Sequence, residues 1–170
     1  MTIVLGIDPG SRHTGYGVIE CVGSRNRHIA HGRIDTHKGE MPERLLGILG
    51  GLAGVIREFR PDETAIEETF VNRANAQSAL VLGQARGAAI CACAQAGLPV
   101  AEYAAAQVKV AIAGNGRAEK QQVQHMVKVL LNLREALALD ASDALAVALT
   151  HAHVRGTRLR AGVALKASWG

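Results

Sequence analysis

The hydrophobic pattern of the first sixty residues predicts three strands followed by a helix. Residues 2–7 are a short run of β-branched and aliphatic side chains that ends at Asp8-Pro9-Gly10, which is typical of a buried strand entering a turn. Residues 16–22 and 28–36 predict two further strands, and an antiparallel meander is the simplest arrangement of the three. Aliphatic residues between positions 45 and 59 then recur every three or four residues, which is the spacing of an amphipathic helix.

The remaining pattern alternates between short strands and helices. Strands are predicted over residues 64–66 and 98–103, and helices over 76–96, 107–113, 118–133 and 141–153. Because helices separate the first, fourth and fifth strands, these three strands should run parallel through crossover connections. The predicted fold class is therefore α/β: a five-stranded mixed sheet, with three antiparallel strands and then parallel strands, flanked by helices.

Composition indicates one globular domain. Hydrophobic residues make up 48% of the 170 residues and charged residues 20%, a balance that argues against disorder. The longest uncharged internal stretch, over 87–101, has 15 residues, whereas a membrane span needs about 20. The first residues lack the basic start and cleavage site of a signal peptide, and three cysteines show no disulfide framework. We expect a cytoplasmic protein with no membrane partner.

The charge is unevenly distributed along the chain. The last twenty residues hold four basic residues and no acid, so residues 1–150 carry fifteen basic and fifteen acidic residues. A neutral body with a basic end is weak evidence for nucleic-acid binding, because many neutral enzymes look the same. We interpret residues 1–153 as the folded domain and residues 154–170 as a basic, flexible tail.

Four acidic residues fall at positions that suggest a shared site. Asp8 follows the first predicted strand and Glu67 follows the fourth, and ligands of open α/β sheets bind at this carboxyl edge. Asp140 and Asp143 are three residues apart at the start of the last helix, hence on one face. Glu68 also follows the fourth strand, and the pattern alone does not choose between it and Glu67.

Converging carboxylates would repel each other unless a cation joined them. Oxygen ligands suit Mg²⁺ or Mn²⁺, and two such ions can activate water and stabilise the leaving oxygen in phosphodiester cleavage. The simpler alternative is that Asp140 only caps a helix and Asp8 only makes a turn, since aspartate is favoured in both places.

Five sequence blocks point to a known family. They are residues 6–12 (GIDPGSR) with 14–19 (TGYGVI), 65–67 (AIE), 82–87 (LGQARG), 118–120 (AEK) with 122–127 (QVQHMV), and 140–146 (DASDALA). In this order they resemble the RuvC family of Holliday-junction resolvases, and they cover roughly residues 3–153.

The resemblance implies a ribonuclease-H-like nuclease domain acting as a homodimeric, metal-dependent endonuclease. Such an enzyme resolves four-way DNA junctions by paired symmetric nicks that leave 5′-phosphate and 3′-hydroxyl ends, in homologous recombination and DNA repair. The motif match assigns metal binding and catalysis to Asp8, Glu67, Asp140 and Asp143, with two Mg²⁺ ions for which Mn²⁺ can substitute. It also implies a junction-binding tetramer and a ring helicase as partners.

The same resemblance implies DNA-binding roles for Phe70, Arg73, Lys109 and Lys120, and the local sequence adds Arg117. Phe70 is one of five aromatic residues and lies three residues after Glu67, where an aromatic face could stack on bases. Arg117 and Lys120 lie at the start of a predicted helix, whose free amides together with the two cations could hold a phosphate. The alternative is that Phe70 covers the core and that the basic residues are solvated surface charges.

Three other functions fit parts of the sequence. A ribonuclease-H-like nuclease acting on RNA or on other branched DNA would need the same acids. Residues 6–10 also resemble the first phosphate loop of actin-like ATPases, although one domain of 170 residues is short for the two lobes of that fold. A non-catalytic junction-binding protein would not need all four acids.

Overall fold

The computed structural model describes residues 1–69 and 76–161. Five strands and five helices follow one another along these residues. The strands are β1 (Thr2–Asp8), β2 (His13–Val22), β3 (Arg25–Asp35), β4 (Glu63–Glu67) and β5 (Val100–Tyr103). The helices are α1 (Met41–Phe59), α2 (Ala76–Gln95), α3 (Ala105–Ala113), α4 (Lys120–Leu130) and α5 (Leu139–Arg160). Among the helices described, none combines the length and the hydrophobicity that a membrane span needs.

The strands form one sheet in the order β3-β2-β1-β4-β5. β1 pairs antiparallel with β2, and β2 pairs antiparallel with β3. β4 lies parallel to both β1 and β5. The predicted mixed sheet, with its antiparallel meander and its parallel strands, is confirmed.

The core lies on both faces of the sheet because β1 is central and buried on each side. Val4 packs on one face with side chains of α3, α4 and α5, while Leu5 packs on the other face with side chains of α1 and α2. Successive strand residues point to opposite faces, so neighbouring aliphatic residues fill two separate layers. The sheet is thereby enclosed between two helical layers.

Helix α5 extends further than the sequence predicts. The pattern predicts a helix over 141–153, whereas α5 continues to Arg160. Val154 packs against the core, and Arg155 Nε lies 2.9 Å from Glu63 Oε1, so tertiary contacts hold this extra length. The predicted boundary between the domain and the basic tail therefore falls inside a helix, and residues 162–170 of that tail lie outside the described residues.

Candidate active site

The four acids predicted to share a site come together at one edge of the sheet. Asp8 is the last residue of β1 and Glu67 the last residue of β4. These strands are parallel and in register at Ile7 and Ile66, so the two acids follow side by side. Asp140 and Asp143 lie in the first turns of α5, which packs across β1 and β2.

Glycines in the sheet allow α5 to approach closely enough to bring its acids to this edge. A Cβ atom on Gly15 would overlap the backbone carbonyl of Asp140, and one on Gly6 would overlap the carbonyl of Ala144. Gly15 is paired directly with Asp8 in the sheet. Gly6 and Gly15 of the first sequence block thus leave room for α5, since a larger residue at either position would push the helix and its acids away.

The acids interact strongly with one another. Burial, together with the charges of Asp143, Glu67 and Asp140, raises the pKa of Asp8 from 3.8 to about 8. Burial and the charge of Asp143 also raise the pKa of Glu67. Such mutual destabilisation of the ionised forms is expected where carboxylates gather without a compensating cation. Strongly shifted acids in a cleft mark a candidate functional site.

Glu67 and not Glu68 belongs to this group. Glu67 is half-buried and interacts with Asp143, whereas Glu68 is exposed. The alternation of side chains along an extended chain sends the two in different directions. Of the two acids that follow β4, Glu67 is thus the one that interacts with Asp143.

Lys120 is the predicted DNA-binding residue with the most direct contact to the acids. Its Nζ lies 3.1 Å from Asp143 Oδ2, and its side chain remains 67% exposed. Desolvation lowers the pKa of Lys120, but Asp143, Asp8 and Glu67 outweigh it and raise that pKa overall. The ammonium group of Lys120 is thus both exposed to solvent and held beside the carboxylates.

Lys109 lies in the same cleft as Lys120. A cavity between α3, α4 and α5 is lined by Lys109, Lys120, Glu67 and Asp143, and the charge of Lys109 opposes the upward shift of the Glu67 pKa. The cleft therefore combines acidic with basic side chains.

The other predicted DNA-binding residues lie apart from the cleft or outside the described residues. Arg117 is exposed on the loop before α4 and does not line the cavity. Phe70 and Arg73 fall within residues 70–75, which lie outside the described residues.

Two arginines that the sequence analysis does not single out contact the site. Arg33 of β3 places Nη1 3.9 Å from Asp140 Oδ2. Arg86 of α2 pairs with Glu102 and donates from Nε to the backbone carbonyl of Glu67 at 3.4 Å. Arg86 lies in the LGQARG block, so the family resemblance of that block is the sequence feature that could identify it. No comparable signal marks Arg33, whose contact depends on how α5 sits across the sheet.

The four acids have the donor chemistry of a site for a divalent cation of the magnesium class, although no three of these four described residues bring carboxylate oxygens within 4.8 Å of one another. They offer only carboxylate oxygens, the ligands that Mg²⁺ and Mn²⁺ prefer. The raised pKa of Asp8, at about 8, means that a cation would relieve the repulsion which burial and the three other acids impose. The type of ligand atom and the electrostatics of the four acids therefore both favour a divalent cation.

Comparison with known proteins identifies the family. The family model for crossover junction endodeoxyribonuclease RuvC matches residues 4–151. A protein of that name from Shewanella pealeana is 56% identical over 90% of this chain and 88% of its own length. One from Xanthomonas oryzae pv. oryzae is 53% identical over 99% of this chain and 98% of its own length.

Solved structures agree with this result. The RuvC of T. thermophilus in complex with a Holliday junction substrate has a TM-score of 0.85 and 38% identity, and the match covers 92% of this chain and 96% of that chain. A yeast mitochondrial Holliday junction resolvase, at 12% identity and a TM-score of 0.63, shares the fold alone over 94% of this chain and 83% of its own. The predicted ribonuclease-H-like fold is confirmed, and the chain belongs to the RuvC family of crossover junction endodeoxyribonucleases.

Proposed function

We propose that this chain resolves four-way DNA junctions by paired, symmetric nicks made at the four-acid site. The observation that carries the proposal is the convergence of Asp8, Glu67, Asp140 and Asp143 beside Lys120 at one sheet edge, in a chain of this family. The reaction is hydrolysis of a phosphodiester that leaves a 5′-phosphate and a 3′-hydroxyl. Its cellular role is in homologous recombination and DNA repair.

The four acids would hold two Mg²⁺ ions, with Mn²⁺ as a substitute. If bound there, the ions would supply Lewis-acid chemistry, lowering the pKa of a water nucleophile and offsetting negative charge on the phosphodiester. Asp8 is central to this role because the charges of all three other acids act on it. Gly15 and Gly6 serve the same end, since they set the distance between α5 and the strands that carry Asp8 and Glu67.

The basic residues would hold the DNA backbone. Lys120 leaves its ammonium group exposed next to Asp143, where it can contact an oxygen of the reacting phosphate. Lys109 lines the same cleft and can neutralise a neighbouring phosphate. Arg117, Phe70 and Arg73 are proposed as further DNA contacts, with Phe70 stacking on bases at the junction.

A homodimer supplies two such sites, since the two-fold symmetry of a dimer matches that of a four-way junction. In this proposal the enzyme works in the cytoplasm with a junction-binding tetramer and a ring helicase. Residues 1–153 act as the nuclease domain, and the four basic residues beyond position 154 are not needed for the chemistry.

Asp8→Asn separates junction binding from cleavage. The variant keeps the size of the side chain and the basic residues, so it should bind a synthetic four-way junction as the unchanged protein does, but cleave it at least about 100-fold more slowly with Mg²⁺. Gel-shift and single-turnover cleavage assays measure the two properties. Cleavage by Asp8→Asn at the unchanged rate would show that the acids are wrongly assigned.

A substrate competition tests the remaining alternatives. Labelled four-way junction is mixed with excess unlabelled junction, duplex DNA, branched DNA or RNA–DNA hybrid, and the rate of nicking is measured. Only unlabelled junction should compete strongly. Equal competition by the hybrid or by other branched DNA would instead favour a less selective ribonuclease-H-like nuclease.

A further inference from the structure

A second group of side chains of metal-ligating type, separate from the four acids, lies where β2 begins and β3 ends. His13 is the first residue of β2 and Asp35 is the last residue of β3. The two are paired in the antiparallel register, and His37 follows two residues after Asp35. Within the described residues, these three alone bring three metal-ligating groups together at binding distance.

The geometry of the three side chains is close to that of a metal site. One ligand atom from each residue lies within 4.8 Å of the other two, and His13 Nδ1 is 2.7 Å from Asp35 Oδ1. The rings of His13 and His37 are 6.0 Å apart between centroids and tilted by 49°, so they do not stack face to face. Bonds of about 2.0–2.2 Å from one ion would need only small adjustments of these positions.

We propose that His13, Asp35 and His37 bind a transition-metal dication of the zinc class. Two imidazoles and one carboxylate are a donor set used by Zn²⁺ and its neighbours, whereas Mg²⁺ prefers oxygen ligands and waters. Asp35 and His37 are exposed and His13 is half-buried, so solvent can complete the coordination and the ion can enter freely. The two sites thus differ in donor chemistry as well as in place.

Arg33 is the group that competes with a metal for Asp35. Its Nε lies 2.8 Å from Asp35 Oδ1, and its side chain is 41% exposed. A guanidinium group there repels a dication and occupies the oxygen that also faces His13. Because the side chain is open to solvent, it can withdraw when an ion binds. Arg33 also lies 3.9 Å from Asp140, so it stands between the two sites.

Isothermal titration with zinc chloride tests the site directly. Tag-free protein of all 170 residues is titrated in excess Mg²⁺. The Mg²⁺ occupies the four-carboxylate site and leaves the imidazole site free for zinc. One zinc ion per chain should bind. His37→Gln should weaken this binding at least about 10-fold, the loss that even outer-shell changes can produce. His37 is exposed in a loop, so this variant should fold normally.

His28→Gln is the matched control. His28 and His31 form the other close histidine pair, with Nε2 and Nδ1 2.8 Å apart, and this variant should leave zinc binding unchanged. The proposal is overturned if zinc does not bind, if His37→Gln binds it equally well, or if His28→Gln removes the binding.

Arg33→Gln tests the role of Asp35. Removing the competing cation should tighten zinc binding about five-fold, in line with the modest strength of exposed ion pairs. Histidine ring NMR signals provide a second readout, since zinc should shift those of His13 and His37 only. Weaker binding in Arg33→Gln, or shifts confined to other histidines, would contradict the assignment of these ligands.

Discussion

Asp8→Asn should stabilise the protein in the absence of divalent metal, although the same change should stop cleavage. Burial and three neighbouring acids hold the pKa of Asp8 at about 8, against 3.8 for an unperturbed side chain. The folded state therefore binds a proton that the unfolded state releases at neutral pH. Ionisation of Asp8 in the unfolded chain thus lowers the free energy of unfolding as pH rises from 3.8 to about 8.

The size of the effect follows from that pKa difference. Each unit of pKa difference corresponds to about 1.4 kcal/mol, so the part of the shift that lies between 3.8 and pH 7 amounts to roughly 4 kcal/mol. Asparagine avoids the ionisation, but it still buries a polar amide. The variant therefore recovers less than the full free energy that ionisation costs. We expect the variant to gain about 2–4 kcal/mol, or roughly 5–10 °C in Tm for a chain of this size.

Urea unfolding in EDTA at several pH values measures this gain. The difference between Asp8→Asn and the unchanged protein should be largest near pH 8 and vanish below about pH 4, where Asp8 is protonated in both states. Mg²⁺ should reduce this difference in stability between the variant and the unchanged protein, by stabilising only the unchanged protein. Glu68→Gln, which alters an exposed neighbouring acid, should show little change. A variant no more stable than the unchanged protein, or a gap independent of pH, would refute the electrostatic reasoning.

Two further predictions concern packing and a buried histidine. Gly15→Ala would force a Cβ onto the Asp140 carbonyl, so thermal unfolding should show a loss of about 1–3 kcal/mol together with slower cleavage. Gly50→Ala, at a helix position with open space around it, should instead raise the free energy of unfolding by about 0.5–1 kcal/mol. An equal change in stability for the two variants would contradict the packing argument. His151 is buried against Glu63, and burial lowers its pKa from 6.5. The unfolded chain therefore takes up the proton first as pH falls below 6.5, so stability measured from urea midpoints should decline there. His151→Gln should reduce the slope of stability against pH, and an unchanged slope would disprove this.

Much of the fold could be predicted because each strand has a local signature. The buried run at residues 2–7 and the later short strands fix which elements are parallel, and Asp8 and Glu67 follow from their strand ends. The pattern could not choose Glu67 over Glu68, since both follow the same strand. Only the packing of α5 shows which carboxylate faces Asp143.

Features that depend on tertiary contacts were beyond the sequence pattern. Arg33 meets Asp140 only because α5 crosses the sheet near β3. His13 and Asp35 are 22 residues apart and meet through the register of β2 and β3. The end of α5 has no local signal, because the ion pair between Arg155 and Glu63 joins residues that are 92 positions apart.

Cleavage of a four-way junction by Glu67→Gln and Glu68→Gln tests the proposed active site most directly. The two acids are adjacent in sequence, but only Glu67 faces the acid cluster, and Glu68 is exposed. Single-turnover rates with Mg²⁺ should fall by about 100-fold or more for Glu67→Gln and stay near the unchanged value for Glu68→Gln. Equal losses in both variants, or a greater loss for Glu68→Gln, would contradict the four-acid site.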